Sequence, residues 1–457
     1  MIHKYKLGGY NIVLDVNSGG VHVVDELTYD LLDNIEPPFE DECPSHVIDK
    51  LMRFYKRDDI ISCYEEIKEL YEDKILFSPD DYERFAKLQV AAPIKAMCLL
   101  IAMDCNLRCD YCFAGQGDYC QGRKLMSFEV GKAALDYLLE NSGNRKNLEV
   151  DFFGGEPLMN WKVVKQLVEY GREKEKEYGK HFRFTITTNG TLLDDEKIDF
   201  INKEMHNVVM SIDGRKEIND RMRHRMDGSS AYDKIVPNYQ RLAEKRNYKD
   251  YYVRGTFTKY NLDFADDVFH LRELGFDQIS IEPVVGEHDE PYAITERELP
   301  AVFKEYDRLT GMILDNDRAG KHFNFFHFML DLDQGPCAIK RLRGCGCGNE
   351  YVAITPDADI YPCHQFVGKK EYLMGNITTG EFNMDMKKEF AGAHIYSKED
   401  CKKCWARFYC SGGCNANNYE YMGDILKAHK VSCEMEKKRL ECAIFVQAIH
   451  AMEKEEG

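Results

Sequence analysis

The pattern of hydrophobic and polar residues differs between successive parts of the chain. Residues 2–24 form short extended segments separated by Gly8-Gly9 and by the turn sequence at 17–20, which predicts three β-strands. Apolar residues then recur at helical spacing at 27–35, 47–54 and 60–71, which predicts three helices. We therefore expect a small first domain over residues 1–90.

From residue 96 the pattern alternates between strands and helices. Short apolar runs predict six strands, at 96–102, 148–153, 182–188, 207–212, 251–257 and 278–284. Amphipathic segments predict helices at 127–141, 162–178, 194–203, 232–245 and 263–274. Six such units in succession predict an α/β domain with a parallel sheet over residues 91–320, and a curved sheet if the sites gather at one end.

Composition and charge narrow the classes of protein. The formal net charge of −18 argues against a nucleic acid partner, because such binding depends on Lys and Arg. We find neither a membrane-spanning apolar run nor a signal peptide, and we therefore expect a cytoplasmic protein. In that setting the 17 cysteines indicate metal binding rather than disulfides. Ten of them lie between residues 337 and 442, in a third expected domain over 321–457 that ends in a helix.

The first cysteine motif follows the first strand of the predicted sheet. Cys105, Cys109 and Cys112 have C-x3-C-x2-C spacing. Three thiolates so placed can bind three irons of a [4Fe–4S] cluster and leave the fourth iron open. An open iron is able to bind and reduce a ligand, although an electron carrier could also contain such a cluster.

Small and polar residues follow the next three predicted strands. Gly154-Gly155-Glu156-Pro157 comes after the second strand, Asn189-Gly190 after the third, and Ser211 lies at the end of the fourth. Each is an ordinary turn sequence when taken alone. Because the carboxyl ends of parallel strands meet at one edge of a sheet, the series predicts a ligand site there.

These motifs together resemble the radical S-adenosylmethionine (SAM) superfamily. The resemblance implies a partial (β/α)6 barrel that binds a [4Fe–4S] cluster and SAM. The resemblance implies that Cys105, Cys109 and Cys112 ligate the cluster. It also implies contacts with SAM, in which Arg223 meets the methionyl carboxylate, unless it is only a surface charge. The remaining implied contacts are Gly154, Gly155 and Glu156 with the methionyl amino group, Asn189 and Ser211 with the ribose, and Tyr111 and Phe113 with the adenine.

The cysteines of the last third have a second characteristic spacing, Cys401-x2-Cys404-x5-Cys410-x3-Cys414, followed by Cys433. Zinc or iron–sulfur clusters would accept such thiolates equally well. In this context the arrangement resembles the SPASM extension of radical SAM enzymes, which holds two auxiliary [4Fe–4S] clusters. The resemblance assigns Cys401, Cys404, Cys410 and Cys433 to an outer cluster. It assigns Cys345, Cys363 and Cys414 to an inner one.

Several cysteines keep alternatives open. Cys345 is preferred to Cys347 as the first inner ligand, and the fourth inner ligand is Cys337, Cys347 or none. The family pattern has a glycine five residues before Cys363, where this chain has Ala358. Cys120 has no assigned role. Four others lie on apolar faces and are expected to be buried in the core, namely Cys43, Cys63, Cys98 and Cys442.

The whole chain resembles the maturases of SCIFF peptides, cysteine-rich precursors made by the ribosome. The resemblance implies that the first domain is a winged-helix-like unit that binds the leader of the precursor, the alternative being a structural cap. It also implies SAM, three [4Fe–4S] clusters, an external electron donor and formation of thioether bonds from cysteine sulfur to carbon. The alternatives are a sulfatase-maturating or quinohaemoprotein-maturing SPASM enzyme, an electron carrier, or a zinc-binding module.

Overall fold

The computed structural model describes residues 1–88, 92–286, 289–332 and 341–456. Its N-terminal unit (residues 1–88) contains an antiparallel sheet in the order β1–β2–β3, formed by Ile2–Leu7, Tyr10–Asp15 and Val21–Val24. Four helices follow, α1 Glu26–Leu31, α2 Ser45–Leu51, α3 Arg57–Glu72 and α4 Glu83–Leu88. The apolar faces of the first three form their own core with Val13 of β2, as the helical spacing predicts.

All six predicted central strands are present, and they lie side by side in chain order. They are β4 Ala96–Met103, β7 Asn147–Gly154, β8 His181–Thr188, β9 Asn207–Ser211, β11 Tyr251–Phe257 and β12 Gln278–Pro283. Each pairs in parallel with the next, so their carboxyl ends meet along one edge. A seventh short strand, β13 Asn324–Phe325, extends the sheet beyond β12.

The helices between these strands agree with the predicted ranges to within two residues. They are α5 Phe128–Asn141, α6 Trp161–Tyr178, α7 Asp195–Glu204, α9 Ala231–Lys245 and α10 Phe264–Glu273. A longer helix, α11 Leu299–Arg318, follows β12. Ser127 caps α5 as predicted, because its side chain accepts a hydrogen bond from the Val130 amide. A further short helix, α8 Lys216–Met222, precedes α9 and was absent from the predicted pattern.

The C-terminal region shares the central sheet instead of folding apart from it. Strand β14 Tyr351–Ile354 pairs in parallel with β4, on the side away from β7. Three antiparallel strands continue outward, β15 Asp359–Tyr361, β16 Gly375–Asn376 and β17 Glu381–Phe382. Short helices follow, and then one long C-terminal helix. They are Met384–Gly392, Glu399–Lys402, Arg407–Cys410, Asn415–Met422 and Lys430–Glu456.

The N-terminal unit packs closely on the C-terminal region. The ring of His3 stacks on Trp405 with centroids 3.8 Å apart, and its Nε2 lies 3.0 Å from the Glu441 carboxylate. Arg407 is buried and donates to Asn17 at 2.6 Å and to Asp80 at 3.0 Å. This interface holds the N-terminal unit against the cysteine-rich segment that contains Trp405.

No helix within the described ranges is both long enough and apolar enough to cross a membrane.

Candidate active site

One cavity of ≈ 280 Å³ lies at the carboxyl ends of the parallel strands. It is lined by the three cysteines of the first motif and by most of the residues predicted to contact SAM. Those are Tyr111, Phe113, Gly154, Gly155, Asn189, Ser211 and Arg223. Residues from four different strand ends therefore meet in one place, as the parallel topology predicts.

The cysteine loop is held by a short strand that the sequence pattern did not indicate. Strand β5, Leu107–Cys109, pairs antiparallel with β10, Arg223–Arg225, and places Arg223 opposite Cys109. The Cys105 sulfur accepts a hydrogen bond from the Leu107 amide at 3.4 Å and one from the Asn189 side chain at 3.6 Å. Donors of this kind stabilise a thiolate ligand. Without a metal, burial raises the pKa of Cys105 to about 11 and that of Cys109 to about 12.

The two glycines after β7 allow the strand end to approach the cysteine loop. A Cβ on Gly154, where φ is +133°, would lie 2.3 Å from the Ala102 carbonyl oxygen, and one on Gly155 would lie 2.2 Å from that of Asp104. The Gly155 amide donates to Ala102 at 2.7 Å and the Glu156 amide to Asp104 at 2.8 Å. An ammonium donates hydrogen bonds, so a methionyl amino group at this segment would donate to its carbonyl oxygens and not to its amides.

Glu156, for which the resemblance implies a contact with the methionyl amino group, is buried beside the cavity. Its side chain is fully buried and does not line the cavity. The carboxylate accepts hydrogen bonds from the Asn189 amide at 2.7 Å, the Thr188 hydroxyl at 2.8 Å and the Leu158 amide at 3.0 Å. Burial raises the pKa of Glu156 to about 7 despite these donors. In this structure Glu156 ties the end of β8 to the segment after β7, and a direct contact with SAM would require it to turn.

Arg223 is not a surface charge, and it is not a free cation either. It is buried and forms two hydrogen bonds with Asp213, at 2.9 Å and 3.0 Å. Asp213 also accepts from the Tyr111 hydroxyl at 2.5 Å and from the Thr256 amide at 2.9 Å. An anionic ligand of Arg223 would therefore share the guanidinium with Asp213, a partner that the sequence analysis missed.

Asn189, Ser211 and Phe113 lie on the cavity wall as predicted. The Asn189 side chain donates to Asn106 at 2.9 Å and accepts from the Thr191 hydroxyl at 2.7 Å. Phe113 is half exposed and packs against the His364 ring with centroids 5.4 Å apart.

Residues beyond the predicted set complete the cavity wall. Arg254 and Thr256 come from β11, Glu282 from β12, and His364 and Gln365 from the C-terminal region. Burial and the nearby Arg254 lower the pKa of His364 to about 4, so its ring is neutral near pH 7. The dipeptide Cys363-His364 was the sequence signal for this contact, but only the pairing of β14 with β4 brings it to the cavity.

The structure gathers four cysteines where three were predicted for the inner cluster. We call Cys345, Cys347, Cys363 and Cys414 the inner group. The Cys347 thiol hydrogen-bonds to Cys363 and lowers the pKa of the Cys363 thiol, and the charges of Cys345 and Cys414 act on Cys347. Of the two rivals for the fourth ligand, Cys347 is in place, whereas Cys337 lies outside the described residues.

Ala358 explains the glycine of the family pattern. It lies in the turn between β14 and β15, with φ at +69°. Glycine adopts this left-handed conformation freely, whereas alanine is strained there. The position therefore has the backbone that the pattern requires, which supports the assignment of Cys363 five residues later.

The four cysteines assigned to the outer cluster also lie together. We call Cys401, Cys404, Cys410 and Cys433 the outer group. Burial, with the charges of Cys433 and Cys401, raises the pKa of Cys410, and Cys401 and Cys404 act on Cys433 in the same way. A second cavity of ≈ 280 Å³ is lined by Cys410, Cys414 and Cys433, and it shares residues 282–285 with the first cavity.

Within the described ranges, no three His, Cys, Asp or Glu side chains converge as a single metal ion requires. A [4Fe–4S] cluster takes its thiolates on separate irons, so its cysteines surround a volume. The inner and outer groups each offer four thiols to such a cluster.

The cysteines expected in the core are buried there, namely Cys43, Cys63, Cys98 and Cys442. Cys120 is exposed.

Two family models match the chain at these two regions. Residues 99–254 match the radical SAM superfamily, and residues 345–405 match SPASM, an iron–sulfur cluster-binding domain. The chain contains a radical SAM domain and a SPASM domain. The radical SAM match includes the cysteine loop and the ends of β7, β8 and β9, and the SPASM match includes three cysteines of the inner group.

Two relatives match most of the chain. The radical SAM cyclopropyl synthase TigE of Paramaledivibacter caminithermalis is 22% identical over 86% of this chain and 82% of its own. The cysteine-type anaerobic sulfatase-maturating enzyme of Clostridium novyi is 26% identical over 71% of this chain and 89% of its own. The radical SAM and SPASM domains of this protein thus have relatives with more than one chemistry.

Two solved structures show the same fold. anSMEcpe with bound AdoMet has a TM-score of 0.65 and 21% identity, covering 79% of this chain and 96% of its own. Streptococcus suis SuiB bound to S-adenosylmethionine has a TM-score of 0.53 and 16% identity, covering 94% of this chain and 98% of its own. SuiB was also solved with its precursor peptide SuiA, with a TM-score of 0.50 and 17% identity over 93% and 98% of the two chains.

Proposed function

We propose that this protein is a radical SAM enzyme that installs thioether cross-links, from cysteine sulfur to carbon, in a cysteine-rich precursor peptide. The observation that most supports an enzyme acting on a bound substrate is the composite cavity. The 105–112 cysteine motif forms one wall, and His364 and Gln365 of the SPASM domain form another. A substrate in this cavity would lie between the SAM site and the inner group.

The residues of the cavity fit the cofactors that the two domains imply. Cys105, Cys109 and Cys112 would ligate the first cluster, and the glycines at 154 and 155 leave room where any side chain would collide with backbone. When bound, the cluster and SAM supply a 5′-deoxyadenosyl radical that removes a hydrogen atom from the substrate. Asp213 accepts from both Tyr111 and Arg223 and so orients the guanidinium, which we assign to the methionyl carboxylate. We assign Asn189 and Ser211 to the ribose, and Tyr111 and Phe113 to the adenine.

We assign one [4Fe–4S] cluster to the inner group and one to the outer group, which gives three clusters in all. With Cys347 beside Cys345, Cys363 and Cys414, each iron of the inner cluster would have a thiolate from the protein. No open iron would then remain there for a substrate thiolate, and we assign the substrate sulfur to the cavity itself. We assign the supply of electrons to an external donor.

A further cavity beside the active site offers a route for a peptide substrate. A cavity of ≈ 360 Å³ adjoins the first one and shares Tyr111, Cys112, Phe113, Val285 and Gln365 with it. Its far side is formed by Tyr292 and by Lys369, which pairs with Glu420 at 2.7 Å. We propose that the precursor reaches the reactive centre through this second space.

The N-terminal unit is proposed to bind the leader of the precursor. Its strand β3 is an edge strand of the three-stranded sheet, and an extended peptide can add to such an edge. SuiB, a protein solved with a precursor peptide, covers 94% of this chain, so the part it leaves uncovered is smaller than this unit. The unit also carries 20 Asp and Glu against 10 Lys and Arg over residues 1–90, which favours a leader with basic residues.

The choice of a thioether over another bond rests on the resemblance of the whole chain to the maturases of SCIFF peptides. The second candidate is a modification of the sulfatase-maturating kind, favoured by the 26% identity to the Clostridium novyi enzyme. A modification of that kind needs only a short recognition motif, which would not require the N-terminal unit.

Mass spectrometry of a cysteine-rich precursor, incubated with the reconstituted enzyme, SAM and reductant, tests the proposal. Each thioether removes two hydrogen atoms, because one S–H bond and one C–H bond break as one C–S bond forms. The product must therefore lose one thiol that reacts with iodoacetamide for each link. Loss of hydrogen with every thiol intact would refute the thioether and support a carbon–carbon bond. The control enzyme with Cys105, Cys109 and Cys112 changed to Ala must give no product.

The leader-binding role is tested with the intact enzyme, because the N-terminal unit is packed too tightly on Trp405 and Arg407 to be removed cleanly. Free leader peptide is expected to inhibit modification of the full precursor while leaving uncoupled SAM cleavage unchanged. Equal modification of a precursor with and without its leader would return the unit to a structural role.

A further inference from the structure

Lys398 is a buried cation between the two groups of SPASM cysteines. Its side chain is 1% exposed. The ammonium donates to the Gly412 carbonyl at 2.7 Å and to the Asn415 side chain at 2.8 Å. Gly412 lies between Cys410 of the outer group and Cys414 of the inner group, so this lysine is fixed to the loop that carries one ligand of each.

Among the described residues, no carboxylate lies within ion-pair distance of Lys398. Its recorded partners are a carbonyl and an amide oxygen, which solvate the charge but do not neutralise it. A buried charge without a counter-ion is strongly unfavourable. Burial lowers the pKa of Lys398, and the charges that oppose this effect are those of thiolates, namely Cys401, Cys410 and Cys433 of the outer group and Cys414 of the inner group.

We propose that Lys398 is the shared counter-cation of the two auxiliary clusters and raises the reduction potential of both. A [4Fe–4S] cluster with four thiolates is an anion, and it gains one more negative charge on reduction. A fixed cation stabilises the reduced form more than the oxidised form, because attraction grows with the charge. The burial of Lys398 makes the effect stronger than that of a lysine in water.

A second lysine near the outer group offers a matched control. The charges of Cys404 and Cys433 also act on the ammonium of Lys437. It is about one-third exposed, however, and pairs with Glu434 at 2.8 Å. Its charge is thus largely cancelled and screened, and it lies at the outer group alone.

The inference rests on the auxiliary clusters proposed above, and the test separates the two. Iron and sulfide analysis of the full-length protein, with Cys105, Cys109 and Cys112 changed to Ala, first shows whether the SPASM clusters form. Zinc without sulfide at this step would refute the clusters themselves. If the clusters form, a redox titration followed by electron paramagnetic resonance measures their midpoint potentials.

In that background, Lys398→Met is expected to lower the midpoint potentials of both clusters. Lys398→Arg keeps the charge and is expected to leave both midpoint potentials near their starting values. Lys437→Met is expected to lower only the midpoint potential of the outer cluster, and by a smaller amount than Lys398→Met. Unchanged midpoints in Lys398→Met at full iron content would overturn the inference. If Lys398→Met loses iron, retention by Lys398→Arg supports the need for a charge, and equal loss in both variants overturns it.

Discussion

The buried pair of Arg223 and Asp213 gives the sharpest test of the active-site geometry. Asp213 is fully buried and Arg223 is 9% exposed, and two hydrogen bonds join them. Asp213→Asn replaces one carboxylate oxygen by an NH2 group that faces the guanidinium, and it removes the counter-charge. Removal of one partner from a buried ion pair destabilises a protein by about 3–5 kcal/mol. We expect that loss in the free energy of unfolding of the radical SAM domain, measured without SAM.

The chain offers a local reporter for this measurement. It contains two tryptophans, of which Trp161 begins α6 in the radical SAM domain and Trp405 lies in the SPASM domain. In a Trp405→Phe background, urea unfolding followed by fluorescence reports on the surroundings of Trp161. The matched control is Asp199→Asn, because Asp199 pairs with Lys245 at 2.7 Å on the surface. A surface ion pair contributes at most about 1 kcal/mol to the free energy of unfolding.

A double-mutant cycle with Arg223→Met separates the pair from its surroundings. Each single change leaves one buried charge unpaired, whereas the double change leaves neither. We expect the double variant to lose less than the sum of the singles, with a coupling of about 2–3 kcal/mol. Additive losses, or a loss in Asp213→Asn no larger than in Asp199→Asn, would refute the buried pair.

Two further predictions concern the glycine segment and the inner group. Gly155→Ala would put a Cβ 2.2 Å from the Asp104 carbonyl oxygen. We expect it to lower the free energy of unfolding by about 1–3 kcal/mol or more in the same urea assay. The control is Gly311→Ala, in open space on α11, and equal effects of the two changes would contradict the close approach. Cys347→Ser is expected to remove up to about four irons per chain, whereas Cys120→Ser, an exposed cysteine outside both groups, should remove none. Full iron content in Cys347→Ser would return the fourth inner ligand to Cys337 or to an open iron.

Local patterns predicted the helices and strands because the spacing of apolar residues follows the period of the helix or strand that they form. Short runs of six or seven residues indicated the central strands, and amphipathic segments between them indicated the helices. The strands β5 and β10 escaped, because each is three residues long and carries charged residues. Their pairing brings Arg223 to Cys109 across more than a hundred residues, and no local pattern reports such a contact.

The candidate site divides in the same way. Local sequence predicted that the three cysteines at 105–112 and the glycines after β7 belong to a ligand site. Residues a few positions apart in the chain are necessarily close in space, so their spacing alone indicates a shared ligand. The partners of these residues were decided by the tertiary structure. Asp213 neutralises Arg223, and His364 closes the cavity from a different domain.

By itself, the sequence determined which side chains are available to bind iron and SAM and at which strand ends they lie. The tertiary structure decided which of them are free to do so. It turned Glu156 inward onto Thr188 and Asn189, brought Cys347 into the inner group, and placed Lys398 between the two cysteine groups. The physical reason is that charge and hydrogen-bonding capacity are shared among all neighbours in space, whereas the order of residues records only the neighbours along the chain.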